Sequence, residues 1–143
     1  MQKKTAKTPN LLTWSQEYSV GNQNIDDDHK YMITVINNIH LSEKSLDRGQ
    51  IELLLSELIS YAVRHFHHEE SYMSRTGYPD IARHKELHDE FMVRIQHFHQ
   101  DFQKQGGRLD AGDISRFLAA WWKDHILHED QLYADAAAQR RLR

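Results

Sequence analysis

The chain has 143 residues, of which 18 are basic, 21 are acidic and 11 are histidine, and it contains no cysteine. Its length suits one domain that can bury a core without cross-links. The lack of cysteine excludes disulfides, cysteine-ligated metal sites and thiol catalysis, and a net charge of −3 does not indicate nucleic-acid binding. Because imidazole is the commonest metal ligand in proteins, the histidines are the first candidates for chemistry.

The first 22 residues are polar and contain Pro9 and Gly21, which predicts an irregular N-terminal arm over 1–22 that packs on a helical bundle formed by 23–143. No apolar signal-peptide core follows the N-terminal lysines. The longest apolar run, FLAAWW at 117–122, is far shorter than the roughly 20 residues of a membrane span. We therefore expect a soluble, cytoplasmic protein that does not contact the membrane.

Apolar residues recur at helical spacing in four segments, each bounded by capping or breaking residues. An acidic first turn opens the first segment, Gly77 and Pro79 separate the second from the third, and Gly106 and Gly107 end the third. The predicted helices cover about 25–44, 51–74, 79–105 and 110 to the frayed end, with a turn at 45–50. No segment predicts a strand, so the expected fold is all-α, an antiparallel up-down-up-down four-helix bundle.

Each predicted helix carries one cluster of metal-binding residue types beside its apolar face. Alone, a histidine and a carboxylate four residues apart usually form a solvated surface contact. Antiparallel neighbours, however, bring all four clusters to the same end of the bundle, at similar heights along its axis. The clusters are His29; His65 and Glu69; His84 and His88; and His125 with Glu129 and Asp130.

This set of ligands contains imidazole and carboxylate but no sulfur, which suits iron, zinc, copper or nickel. Five histidines and one or two carboxylates exceed what one ion needs, so we expect two ions that share carboxylates. The remaining histidines are expected to be exposed or to point away from the clusters: His40, His67, His68, His97, His99 and His128.

Four successive motifs, IDDDHK, HFHHEESYM, GYPDIARHKELHDEF and WWKDHILHEDQLY, resemble those of the hemerythrins, in particular the single-domain bacteriohemerythrins, from about Trp14 to Tyr133. The resemblance implies two non-haem iron ions joined by an oxo or hydroxo bridge, with Glu69 and Asp130 bridging both ions. It implies that one iron is held by His84, His88 and His125, and that the other, held by His29 and His65, keeps an open coordination position.

The resemblance further implies reversible O2 binding for storage, delivery or sensing, with O2 as the ligand and an unidentified protein partner or O2-consuming enzyme downstream. We expect a binding protein rather than an enzyme. Two alternatives remain open: a diiron redox enzyme that acts on peroxide or nitric oxide, and a structural bundle that binds zinc. A ferritin-like oxidase is not expected, because that class needs Glu-x-x-His pairs and no histidine here follows a glutamate by three residues.

Three residues depart from the family pattern near the predicted ligands. Trp122 and Met32 stand where leucine is usual, and Asp28 replaces the usual glutamine before the first histidine. We hypothesise that Trp122 narrows the O2 pocket and slows autoxidation. For Asp28 we expect a change in local polarity rather than in metal binding.

The stretch HILHED at 125–130 contains a conflict between geometry and resemblance. In an ideal α-helix Glu129 lies about 40° from His125 around the axis and Asp130 about 140°. Geometry therefore favours Glu129 as the ligand, whereas the resemblance implies Asp130. Either the helix is locally overwound or carries a π-bulge here, or a regular helix presents the two side chains to different parts of a wide centre.

Overall fold

A computed structural model describes residues 10–42, 48–104 and 110–141, the last without the side chain of residue 141. Within these ranges the chain is helical and contains no strand, and consecutive helices run antiparallel, which confirms the all-α four-helix bundle. A π-helical turn, His125–Asp130, joins the last two helices into one continuous rod. The helices are a 3-10 turn Gln16–Tyr18, then α1 Gln23–Ser42, α2 Arg48–Thr76, α3 Ile81–Gln103, α4 Ala111–Asp124 and α5 Gln131–Arg141. None of these described helices is long and apolar enough to cross a membrane.

Two helices begin at residues other than those predicted. Helix α2 begins at Arg48, inside the predicted turn. The Arg48 guanidinium donates to the Phe102 carbonyl at 2.6 Å and lies 4.2 Å from its ring centre. Helix α3 begins at Ile81 rather than Pro79. The predicted ends of the first and third helices, at 44 and 105, and the Gly106–Gly107 break lie outside the described residues.

Two other boundaries follow the capping residues. Helix α2 ends at Thr76, two residues beyond its predicted end at 74. Gly77 follows directly and, at φ 69°, cannot continue the helix. Asp110 caps α4 by accepting from the Asp113 amide at 2.8 Å, while Asp113 accepts in return from the Asp110 amide. Reciprocal bonds of this kind satisfy two amides that a helix start otherwise leaves unpaired.

The described part of the N-terminal segment packs on the bundle. The side chain of Asn37 on α1 accepts from the amides of Leu11 and Leu12 at 3.0 and 3.1 Å and donates to the Leu12 carbonyl at 2.8 Å. Leu12, Tyr18 and Val20 are buried. Asn37 thus holds the backbone of the segment in place while its apolar side chains extend the core.

The bundle contains two separate apolar clusters. The larger includes Met32, Phe66 and Ile126 and fills one part of the interior. The smaller, with Ile25, Met73, Tyr133 and others, lies beyond it towards the α2–α3 connection. The seven predicted ligands lie where the two clusters adjoin, and apolar side chains on both sides separate them from water.

Candidate metal centre

The structure brings all seven predicted ligands together in the bundle interior. Each of these side chains is at most 3% exposed. They form two groups in which one ligand atom from every member lies within 4.8 Å of the others. The five-ligand group consists of Glu69, His84, His88, His125 and Asp130, and the three-ligand group consists of His29, His65 and Glu69.

Both carboxylates lie between histidines of the two groups. Glu69 Oε1 is 3.2 Å from His65 Nε2 and 3.3 Å from His88 Nε2. Asp130 Oδ2 is 3.2 Å from His29 Nε2, and its Oδ1 is 3.1 and 3.0 Å from the Nε2 atoms of His84 and His125. A carboxylate with one face towards each group has the placement that a bridging ligand requires.

The π-helical turn, His125–Asp130, resolves the geometric conflict in HILHED. In a π-helical turn the backbone hydrogen bonds join residues five positions apart instead of four. The residue at i+5 therefore lies on the face that the residue at i+4 occupies in an α-helix. Asp130 therefore faces the same side as His125, and its carboxylate is fully buried. The π-bulge alternative is confirmed, and the overwound and regular-helix alternatives are wrong.

Glu129 is instead held at the rim. Its two oxygens accept from Arg83 Nη1 and Nη2 at 2.6 and 3.0 Å, in a salt bridge with a half-exposed arginine. His128 is exposed, with its nearest acid, Asp124, at 3.8 Å. Neither residue belongs to the buried groups.

The donor set fits divalent metal ions. Among the described residues, buried atoms of His29, His65, Glu69, His84 and Asp130 have no hydrogen-bond partner, although they approach one another within 3.1–3.2 Å. Their lone pairs converge without the geometry of hydrogen bonds, as they do around a cation. Glu69 and Asp130 are also buried without a salt bridge to any described lysine or arginine. Buried anions need compensating positive charge, which metal ions supply.

The pKa values of the ligands reflect this crowding of charge. Burial lowers the pKa of His65, but the negative charge of Glu69 and the hydrogen bond to Asp28 outweigh it and raise the pKa to about 10. Burial also lowers the pKa of His88, but the nearby carboxylates of Glu69 and Glu70 outweigh it and raise the pKa to about 8. Burial and the charge of Glu69 would raise the pKa of Asp130, but its contacts with His125 and His29 together outweigh them and lower it. In the metal-free protein, protons thus neutralise part of the buried negative charge.

Carboxylates outside the two groups orient two of the histidines. Asp28 Oδ2 accepts from His65 Nδ1 at 3.0 Å, and Glu70 Oε2 accepts from His88 Nδ1 at 2.8 Å. With Nδ1 donating, each ring presents the lone pair of Nε2 to the centre, an arrangement typical of metal-bound histidine. Tyr133 completes the set by donating to Glu69 Oε2 at 2.6 Å.

Sequence reasoning missed the contact between Asp28 and His65. Asp28 also accepts from Tyr61 at 2.7 Å and from His68 at 3.0 Å, and these hydrogen bonds outweigh burial and lower its pKa. The position of Asp28 directly before His29 gave no signal for this role, because its partners lie on α2, more than 30 residues away. For the role of Glu70, the only hint in the sequence was its position directly after the predicted ligand Glu69.

The remaining histidines follow the prediction only in part. His67, His68, His97 and His128 are exposed, as expected. His40 and His99 are half-buried, so the expectation of exposure was wrong for them. His99 Nε2 lies 2.5 Å from Glu52 Oε1, which keeps that ring between α3 and α2.

Aromatic rings enclose the centre on its larger apolar side. Trp122 is fully buried, with its ring centre 5.7 Å from that of His65 and 6.3 Å from that of His29. Phe66 stacks on His88 at 3.8 Å, and Trp121 stacks on His125 at 4.4 Å. Met32 is fully buried in the larger apolar cluster.

Comparison with known proteins assigns this architecture to a family. A family model for the hemerythrin HHE cation binding domain matches residues 20–137. The chain belongs to the hemerythrin family. This match confirms the resemblance seen in the four motifs, and it spans every helix that contributes a predicted ligand.

Relatives of this hemerythrin-family chain come from several organisms. It is 32% identical over 125 residues to a bacteriohemerythrin of Stenotrophomonas maltophilia, covering 87% of this chain and 80% of the relative. It is 32% identical over 124 residues to one of Methylococcus capsulatus, covering 86% and 94%. A hemerythrin-like protein of Naegleria gruberi is 28% identical over 126 residues, covering 87% and 92%.

Solved structures agree with the fold. A wild-type hemerythrin crystal structure matches with a TM-score of 0.81 at 32% identity, covering 90% of this chain and 98% of that one. A variant of a hemerythrin substituted at one leucine matches with a TM-score of 0.82 at 31% identity, covering 91% and 99%. The family and its fold imply a protein that binds non-haem iron.

Proposed function

We propose that this protein binds O2 reversibly at a non-haem diiron centre bridged by Glu69 and Asp130. In this proposal one iron is held by His84, His88 and His125, and the other by His29 and His65. The observation that carries it is the position of the two buried carboxylates, each within 3.3 Å of histidines from both groups. Family membership makes iron the expected metal, and an oxo or hydroxo bridge would complete the centre.

When bound, the diiron centre would supply the two electrons that reversible O2 binding requires. The chain's own residues would provide three conditions for reversibility. The bridging carboxylates and the neutral histidines hold the metal charge in a buried site. Asp28 and Glu70 fix two imidazole rings, and Tyr133 fixes Glu69 through its hydroxyl. The apolar clusters on both sides limit the access of water and of external reductants.

The three-ligand group is where O2 would bind. It has two histidines, whereas the five-ligand group has three. If both carboxylates are shared, the ion in the three-ligand group would therefore have fewer protein donors. Trp122 lies against both histidines of this smaller group. In this proposal its ring narrows the pocket and slows autoxidation, so Trp122→Leu should speed the conversion of the oxygenated protein to the diferric form. An unchanged rate would contradict this role.

Addition of O2 to the anaerobic diferrous protein tests the proposal. We expect a stable oxygenated spectrum that reverses under argon, with iron retained. Immediate oxidation to the diferric form with peroxide release would instead favour the redox enzyme that acts on peroxide or nitric oxide. Zinc without iron in protein produced in iron-replete cells would contradict both iron functions.

The proposal also includes a cellular location and a partner for the protein. A chain without cysteine suits a reducing compartment, so we place this one in the cytoplasm. Storage or delivery of O2 would require an O2-consuming enzyme, and sensing would require a protein partner that responds to the oxygenated state. Co-purification from cells grown with and without O2 would identify such a partner.

A further inference from the structure

The indole N–H of Trp122 is a buried donor without a protein acceptor. The Trp122 side chain is 0% exposed, and its Nε1 atom has no hydrogen-bond partner among the described residues. Buried tryptophan normally pairs this group, and a native protein rarely leaves a buried donor unpaired. Most of the other buried atoms in this condition belong to predicted metal ligands, which indicates that their partners are not protein atoms.

The surroundings of Trp122 explain why no protein acceptor is available. Its ring stacks on Phe66 at 5.7 Å and meets Phe91 edge-on at 5.6 Å. The polar rings nearest to it are those of His65 at 5.7 Å and His29 at 6.3 Å. His65 Nδ1 donates to Asp28, and His29 Nδ1, which is itself unpaired, would carry the ring proton when Nε2 holds an ion, so neither ring offers an acceptor. An acceptor for the indole must therefore be a small species that enters this part of the interior.

We infer that Trp122 Nε1–H is the hydrogen-bond donor for a small anionic or diatomic ligand held at the open position of the three-ligand group. This inference rests on the proposed function and adds a specificity-determining residue to it. A donor in a dry pocket favours a ligand that carries negative charge, because hydrogen bonds to charged acceptors are about twice as strong as neutral ones. Leucine, the residue usual in the family at this position, has no such donor.

Azide titration of the diferric protein tests the inference, with azide as the small anionic probe. Trp122→Phe keeps an aromatic ring and removes the N–H, and we expect its azide affinity to fall about tenfold to hundredfold. Trp14→Phe is the matched control, since Trp14 lies in the N-terminal segment, where it packs beside Tyr18 and under Lys30 of α1. The azide affinity of this variant should equal that of the wild type. Iron per chain is measured first for every variant.

Ultraviolet resonance Raman spectroscopy supplies a readout that does not depend on affinity. The indole band that reports N–H hydrogen bonding should shift when azide is added to the wild type and to Trp14→Phe. The shift should be absent in Trp122→Phe. A variant that merely loosened packing would change affinity without removing this shift.

The outcomes separate the inference from the proposed function. Equal azide affinity in Trp122→Phe and the wild type, or an unchanged indole band, would overturn the inference and leave the diiron proposal intact. Failure of the wild type to load iron or bind azide would overturn the proposed function itself. If Trp122→Phe does not load iron, Trp122→Leu gives the same comparison, because leucine is the family's usual residue there.

Discussion

The two ligand groups share Glu69 but differ in what surrounds them. The five-ligand group takes its three histidines from α3 and the π-helical turn, and Phe66 and Trp121 stack on two of them. The three-ligand group takes one histidine each from α1 and α2, and both rings lie near that of Trp122, whose indole N–H is unpaired. The five-ligand group offers more donors to an ion, and the fewer donors of the three-ligand group are the basis for proposing an external ligand there.

The largest expected effect comes from the residue that the two groups share. Glu69→Ala should reduce iron from about two ions per chain to nearly none, because it removes a donor from both groups and leaves facing histidines uncompensated. Iron analysis of the purified variant measures this loss. Glu129→Ala is the matched control, since Glu129 pairs with Arg83 at the rim, and it should keep both ions. Two ions in Glu69→Ala would contradict the bridging role.

Removal of a histidine from the smaller group should cost one ion. His29→Ala leaves all five members of the other group in place, so about one iron per chain should remain. The same analysis of iron content checks this, together with the loss of magnetic coupling between two irons in electron paramagnetic resonance. Complete loss of iron would show that the groups fill only together.

Loss of an orienting carboxylate should weaken binding without abolishing it. Asp28→Asn should lower the affinity of the three-ligand group about tenfold to hundredfold, because partners of metal-bound histidine typically have effects of this size. Glu70→Gln should have the same effect on the five-ligand group instead. Competition with a chelator, followed as release of the first and second ion, distinguishes the two. Weakening of the same ion in both variants would contradict the separate assignment.

The smallest expected effect is a release of protons on metal uptake. Metal requires neutral imidazole, and in the metal-free protein the pKa values of His65 and His88 are about 10 and 8, above neutrality. Both rings are therefore protonated at pH 7, and loading should release about two protons per chain. The release should fall as pH rises, first through 8 and then through 10. An indicator dye in weak buffer measures it, and no release at pH 7 would contradict these pKa values.

Most of the fold was predictable because it depends on local patterns. Apolar spacing located the four helices, and Gly77 and Asp110 marked two of their boundaries. The contact that holds Arg48, the first residue of α2, was not predictable, since its partner Phe102 is 54 residues away. For the same reason the half-burial of His99 depends on Glu52, a distant residue in sequence.

In the candidate site, too, local patterns predicted some features and tertiary contacts decided the others. The antiparallel order of helices was enough to place His29, His65, His84 and His125 in one layer, because height along a bundle follows from position along each helix. The sequence also supplied a resemblance that selected Asp130. The orienting contact between Asp28 and His65 and the unpaired indole of Trp122 came only from tertiary structure, since each depends on the packing of different helices.

By itself, then, the sequence determined the helices, their order and the end of the bundle at which the ligands meet. Only the tertiary structure showed how HILHED presents Asp130 beside His125. An isolated α-helix would present Glu129, but the folded chain adopts a π-helical turn there. It buries Asp130 among the histidines and leaves Glu129 to pair with Arg83 at the rim. The reason is that the choice between two helical windings depends on which carboxylate the neighbouring helices can satisfy.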